Sequence, residues 1–142
     1  MWKVDSYINN KFKPRVLICD QEPHLRMTLF EYLISVGFHA EQARNGHECI
    51  DLACDTHPDV ILLDLELPYI DGQTTIHHLR RLGINVPVLL FSSNNSTIIP
   101  FDNDSAVLKK PFKPKEIALV LETLLLETKK EKHFIPRRFK IQ

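Results

Sequence analysis

Four short clusters carry the side chains that could do chemistry: Asp20-Gln21-Glu22, Asp64 within DVILLDLELPYIDG, Ser92-Ser93 and Lys109-Lys110. They supply carboxylates, a hydroxyl and an amine. Carboxylates set together with a lysine opposite make a hard-oxygen site of the Mg²⁺ type. A carboxylate held in such a site can attack a phosphoryl group and become an acyl phosphate. The lysine then pairs with the phosphoryl oxygens, and the hydroxyl hydrogen-bonds to one of them. This chemistry requires that clusters far apart in the chain share one rim.

The intervening segments provide that rim. RVLICD, FHAEQA, Val60–Leu63, VPVLLFS and SAVLKK read as five short strands. Residues 24–36 read as a helix with Leu25, Leu29, Leu33 and Val36 on one stripe, widened by Phe30 and Ile34 and ended by Gly37. Asn45-Gly46 opens a second helix over 47–56, stopped by Pro58. A third follows Gly72, with Thr75, Ile76, Leu79 and Leu82 apolar-facing, and ends at Gly83. A last long helix takes Pro114 in its first turn. SNNSTIIPFDND, between the fourth and fifth strands, reads as a loop with at most one helical turn. Strands alternating with helices predict a parallel sheet covered on both faces, with its functional crevice beyond the carboxyl ends of the strands. Asp20, Asp64, Ser92 and Lys110 all stand at such ends.

The totals narrow the class. Lys+Arg and Asp+Glu both number 18 among 142 residues, a balance that argues against a dedicated nucleic-acid or membrane binder. Three cysteines, Cys19, Cys49 and Cys54, have no disulfide-framework spacing, and the opening residues lack the apolar run of a signal peptide. The expectation is a cytoplasmic protein with no membrane insertion. His47, Cys49, Cys54 and His57 invite a zinc reading, but a helix turns Cys49 and Cys54 roughly 140° apart. The cysteines are expected to be small core residues, and His77-His78 to be partly solvated.

CDQEP after the first strand, LLDLELPYIDG around the third, PVLLFSS in the fourth and LKKPF after the fifth together resemble a response regulator receiver domain of two-component signalling. The resemblance covers about residues 15–128, leaving 1–14 as a leader and 129–142 as a basic extension. It implies an α/β, flavodoxin-like (CheY-like), doubly wound five-stranded parallel sheet in the order 2-1-3-4-5; the short polar segment between strands four and five predicts that the helix a receiver normally has there is shortened or missing. It implies that Asp64 is the phosphoacceptor and that Lys110 pairs with the phosphate. Ser92 is then the switch hydroxyl, and Asp20, Asp64 and the Glu66 backbone carbonyl are the Mg²⁺ ligands. Pro68, Asp71 and Gly72 shape the following turn. The implied partners are a histidine kinase or phosphotransfer protein and a downstream protein, with no nucleic acid.

Three departures accompany the resemblance. Gln21 stands where the family has a second acid, so Gln21 as a metal ligand supplies an oxygen without charge, and Mg²⁺ binding is expected to be weak. The Glu66 side chain is a candidate to compensate. Val107 replaces the aromatic switch residue, and the segment before the fifth strand is short and polar. The leading expectation is a stand-alone receiver, not an enzyme, that takes a phosphoryl group on Asp64 and signals by protein contact. The alternatives are a phosphorylation-independent pseudo-receiver acting as an interaction module, and a phosphatase using Asp64 as nucleophile with Glu66 as acid/base.

Overall fold

Five pentapeptides set the architecture: β1 (Arg15–Cys19), β2 (His39–Ala43), β3 (Val60–Asp64), β4 (Val88–Ser92) and β5 (Ser105–Lys109), apolar except for the edge strand β2 and the polar or charged ends of the others. The computed structural model describes residues 13–93 and 105–131. Every strand pairing is parallel, in the order β2-β1-β3-β4-β5. Every residue of β3 and β4 is buried, as a sheet covered on both faces requires.

Strand alternation then divides the core in two. Val16, Ile18, Val60, Leu62, Leu89 and Phe91 face one side, where Leu29 and Leu33 of α1 (Pro23–Ser35) and Ile117 and Leu121 of α4 (Pro114–Glu131) pack on them. Leu17, Cys19, Ile61, Leu63, Val88 and Leu90 face the other. There they meet Cys49 and Ala53 of α2 (Gly46–Thr56) and Ile76 and Leu79 of α3 (Gly72–Arg81). Each fully buried Leu or Ile contributes roughly 2–3 kcal/mol relative to exposure.

The helix starts are fixed by side-chain caps. Glu22 accepts from the His24 and Leu25 amides, Asn45 from that of Glu48, and Asp71 from that of Thr74. Glu22 is thereby the cap of α1. Three expectations differ from the fold. Leu82 does not join the apolar face of α3 but caps its C-terminal end and is 58% exposed. Ile34 does not widen the buried stripe but is 46% exposed, because Leu29, Leu33 and Val36 set which arc of α1 meets the sheet. Cys54 is exposed, while Cys19 and Cys49 are buried, since α2 turns only Cys49 and Ala53 inward.

His77 and His78 are both exposed. α4 runs to Glu131, three residues past the expected boundary at 128. The rest of the basic extension, the leader up to residue 12 and the segment 94–104 lie outside the described residues. The expectation of a shortened or missing helix falls on that last segment. Among the described residues no helix stands between β4 and β5, and none is long and apolar enough to cross a membrane.

Candidate functional site

The register puts the chemical side chains at one edge. Asp64 ends β3 opposite Phe91, Ser92 ends β4 opposite Lys109, and Asp20 and Lys110 follow immediately after β1 and β5. Asp20 is fully buried; its Oδ1 accepts from the Glu22 amide at 2.9 Å. Its Oδ2 lies 3.6 Å from Lys110 Nζ, an ion-pair distance too long for a hydrogen bond, and accepts none. Asp64, 2% exposed, accepts from the Glu66 amide at 2.9 Å through Oδ1 and from Lys110 Nζ at 3.0 Å through Oδ2.

One ammonium therefore serves two buried carboxylates. Burial foremost, with the neighbouring Asp20 charge adding, raises Asp64 to about 6; the Glu66 amide and Lys110 oppose the shift without cancelling it. Burial pulls Lys110 down, but its hydrogen bond and charge attraction to Asp64, with Asp20 behind, outweigh that and lift it. Lys110 is placed by its own backbone: its amide donates to the Ser92 carbonyl at 2.8 Å, and a cis peptide joins it to Pro111. Its ammonium also stands 5.2 Å from the centroid of the Phe91 ring, which meets Phe112 edge-on.

The loop after Asp64 is drawn tight. The Leu65 amide donates to Phe91 O at 2.9 Å, and the Gly72 amide to Leu65 O at 3.0 Å. A Cβ on Gly72 would stand 2.6 Å from Asp64 O and 2.7 Å from Leu65 Cα, both backbone atoms that cannot swing away. Gly72→Ala is therefore expected to destabilise the protein by about 2 kcal/mol in chemical denaturation, with Asp64 displaced. Beside this turn Tyr69 has φ 73° and is 85% exposed.

Gln21 and Glu66 do not sit as the sequence suggested. Exposed Gln21 donates its amide nitrogen, Nε2, to Glu66 O at 3.1 Å, so it covers the carbonyl expected to ligate the metal. The Glu66 carboxylate accepts from Ser92 Oγ, from the Ser93 amide at 3.1 Å and from Ser93 Oγ at 3.3 Å. It is directed to the end of β4, not into the Asp20–Asp64 pair, so it does not compensate for Gln21 in this arrangement. Arg26, which belongs to none of the four motif clusters, donates to Asp20 O at 2.6 Å and to Gln42 Oε1 at 3.1 Å. The D-x-E spacing was the available signal for Glu66, because it keeps a second carboxylate beside the end of β3. Arg26 left no comparable signal.

The donor set fits Mg²⁺. Two buried carboxylates and a carbonyl are hard oxygens, and Asp20 Oδ2 is a buried acceptor without a hydrogen-bond donor. Among the described residues no three His, Cys, Asp or Glu side chains cluster as metal ligands. Two carboxylates suffice for an ion that keeps several of its waters. An open cleft lined by Arg26, Gln42, Arg44, Glu48, Asp51 and Leu52 is separate from the Asp64–Lys110 pair.

The model of the response regulator receiver domain matches residues 16–122. This chain belongs to that family. The receiver is 29% identical over 124 residues to the transcriptional regulatory protein BaeR of Escherichia coli O6:H1, covering 84% of this chain and 51% of that protein. It thus spans about half the length of the curated relatives it matches. Its fold superposes on the receiver domain of the Francisella response regulator 1452 with a TM-score of 0.72 at 28% identity, covering 82% of this chain and 99% of that one. TrrA of Thermotoga maritima, solved in complex with Mg²⁺-BeF, is similar at a TM-score of 0.70 and 25% identity, with 80% and 99% covered. The receiver thus shares the CheY-like sheet order and belongs to the two-component response regulators.

Proposed function

We propose that this receiver accepts a phosphoryl group on Asp64 from a phosphohistidine of a kinase or phosphotransfer protein and passes the signal on by protein contact. One observation carries the reading: a buried carboxylate at the end of β3, held at 3.0 Å by a lysine that a second buried carboxylate shares. An Asp64 oxygen attacks phosphorus, an O–P bond forms, the N–P bond to the donor imidazole breaks, and that imidazole leaves. Lys110 is placed to move from the carboxylate to the phosphoryl oxygens, because its Nζ already lies at Asp64 Oδ2. Mg²⁺, when bound, would be held by Asp20, Asp64 and the Glu66 carbonyl and supplies positive charge against the incoming oxygens. The product adds about 1.5 to 2 negative charges to the rim, enough to change what the surface attracts.

The pseudo-receiver alternative draws on Gln21, whose amide ties up the Glu66 carbonyl. Intact mass after incubation with Mg²⁺ and acetyl phosphate separates the two. Phosphoryl mass on the wild type and none on Asp64→Asn supports the acceptor role; no added mass, or mass surviving the substitution, refutes it. Gln21→Asp removes the amide from the carbonyl and adds a charge, and is expected to tighten Mg²⁺ binding about tenfold by calorimetric titration.

A further inference from the structure

Glu66 is bonded at the ends of three of the site's four strands, β1, β3 and β4. Its amide donates to Asp64 Oδ1 at 2.9 Å, its carbonyl accepts from Gln21 at 3.1 Å, and its carboxylate takes the Ser92 hydroxyl and the Ser93 amide and hydroxyl. Ser92 is 1% exposed, and its carbonyl is fixed by the Lys110 amide at 2.8 Å. The end of β4 thus turns a hydroxyl and a backbone amide toward an anion, and the anion in place is the chain's own. We propose that Glu66 is an internal latch, a resident carboxylate occupying the β4 donors that a phosphoryl group on Asp64 would otherwise recruit.

That phosphoryl competes for these donors rests on the acceptor role of Asp64; that Glu66 holds them rests on the geometry alone. Two anions cannot share one hydroxyl and one amide without mutual repulsion. Phosphorylation therefore has to turn the Glu66 carboxylate out toward solvent, and the latch slows phosphoryl uptake. Glu66 is a positioning residue here: it acts through Ser92 and Ser93, not on the phosphorus.

The test uses wild type, Glu66→Ala and Glu66→Gln, and reads two quantities. The first is hydrogen exchange and chemical shift of the Ser93 amide, with no phosphodonor present. The second is the rate of phosphoryl uptake from acetyl phosphate with Mg²⁺, by intact mass. Glu66→Ala is expected to speed both about tenfold, the scale of a hydrogen bond to a charged group. Glu66→Gln, which keeps an acceptor oxygen but no charge, is expected to retain amide protection while uptake still accelerates. A Ser93 amide that exchanges alike in wild type and Glu66→Ala overturns the latch, as does uptake that is unchanged or slower in Glu66→Ala. If no variant gains phosphoryl mass, the acceptor reading falls, and the Ser93 amide alone decides whether Glu66 holds the end of β4.

Discussion

Asp64→Asn is expected to raise the stability of the metal-free protein at pH 7 by about 2 kcal/mol while ending phosphoryl uptake. The cause is the raised Asp64 carboxyl, about 6 in the folded protein against an ordinary 3.8. Between those values the native state holds a proton that the unfolded chain has released, so stability falls as pH rises through the window. Above about 6 the full penalty of keeping a buried charge beside Asp20 is present. Roughly two pH units correspond to somewhat under 3 kcal/mol, and burying the asparagine amide takes part of that back. The check is urea denaturation in chelator from pH 4 to 8. Wild type loses stability relative to Asp64→Asn as pH rises from about 4 to 6, and the gap stays flat above. A gap that is absent at pH 7, or that widens toward acid, refutes the assignment. The site is thus held in a state that folding alone would not select, which is the ordinary relation between reactive groups and stability.

Lys110→Met is expected to have the opposite sign, a loss of about 2–3 kcal/mol at pH 7. Removing the ammonium leaves Asp20 Oδ2 without its nearest cation and Asp64 Oδ2 without a donor. The loss is capped because Asp64, already raised, climbs further and takes up a proton. For the same reason the loss shrinks toward pH 4, where carboxyl protonation removes the unpaired charge. Because pairing lifts Lys110 itself, its contribution to the wild type persists up to its ordinary 10.5 and fades above that, while below about 6 it weakens as Asp64 takes up its proton. The double variant Asp64→Asn/Lys110→Met is expected to recover about 1–2 kcal/mol relative to additivity, read as a double-mutant cycle in the same denaturation series. Strict additivity would mean that Lys110 does not pair with Asp64.

The sequence made most of the sheet legible because burial on both faces imposes apolar runs on the inner strands, and these end where charge begins, whereas the edge strand β2 is HAEQA. Asp20, Asp64 and Lys110 were found by that rule, and they share one rim because parallel strands all deliver their carboxyl ends to the same edge. Helix faces were harder. Ile34 fits the periodicity of α1, yet the arc that meets the sheet is decided by Leu29, Leu33 and Val36, which leave it in solvent. Cys54 failed likewise, since small residues fit either face of α2.

What Gln21 and Glu66 do could not be read from residue type. By residue type Gln21 offers an uncharged oxygen and Glu66 a spare carboxylate, each of a kind that can ligate Mg²⁺. In the folded chain Gln21 presents its donor to the Glu66 carbonyl, and the Glu66 carboxylate turns to Ser92 and Ser93. These partners lie 45, 26 and 27 residues away in the chain. Which groups stand on the rim follows from strand periodicity, which is local and readable along the chain. Which of them bond to one another follows from packing, because an amide or carboxylate takes whichever partner the approach of distant strands brings within 3 Å or so.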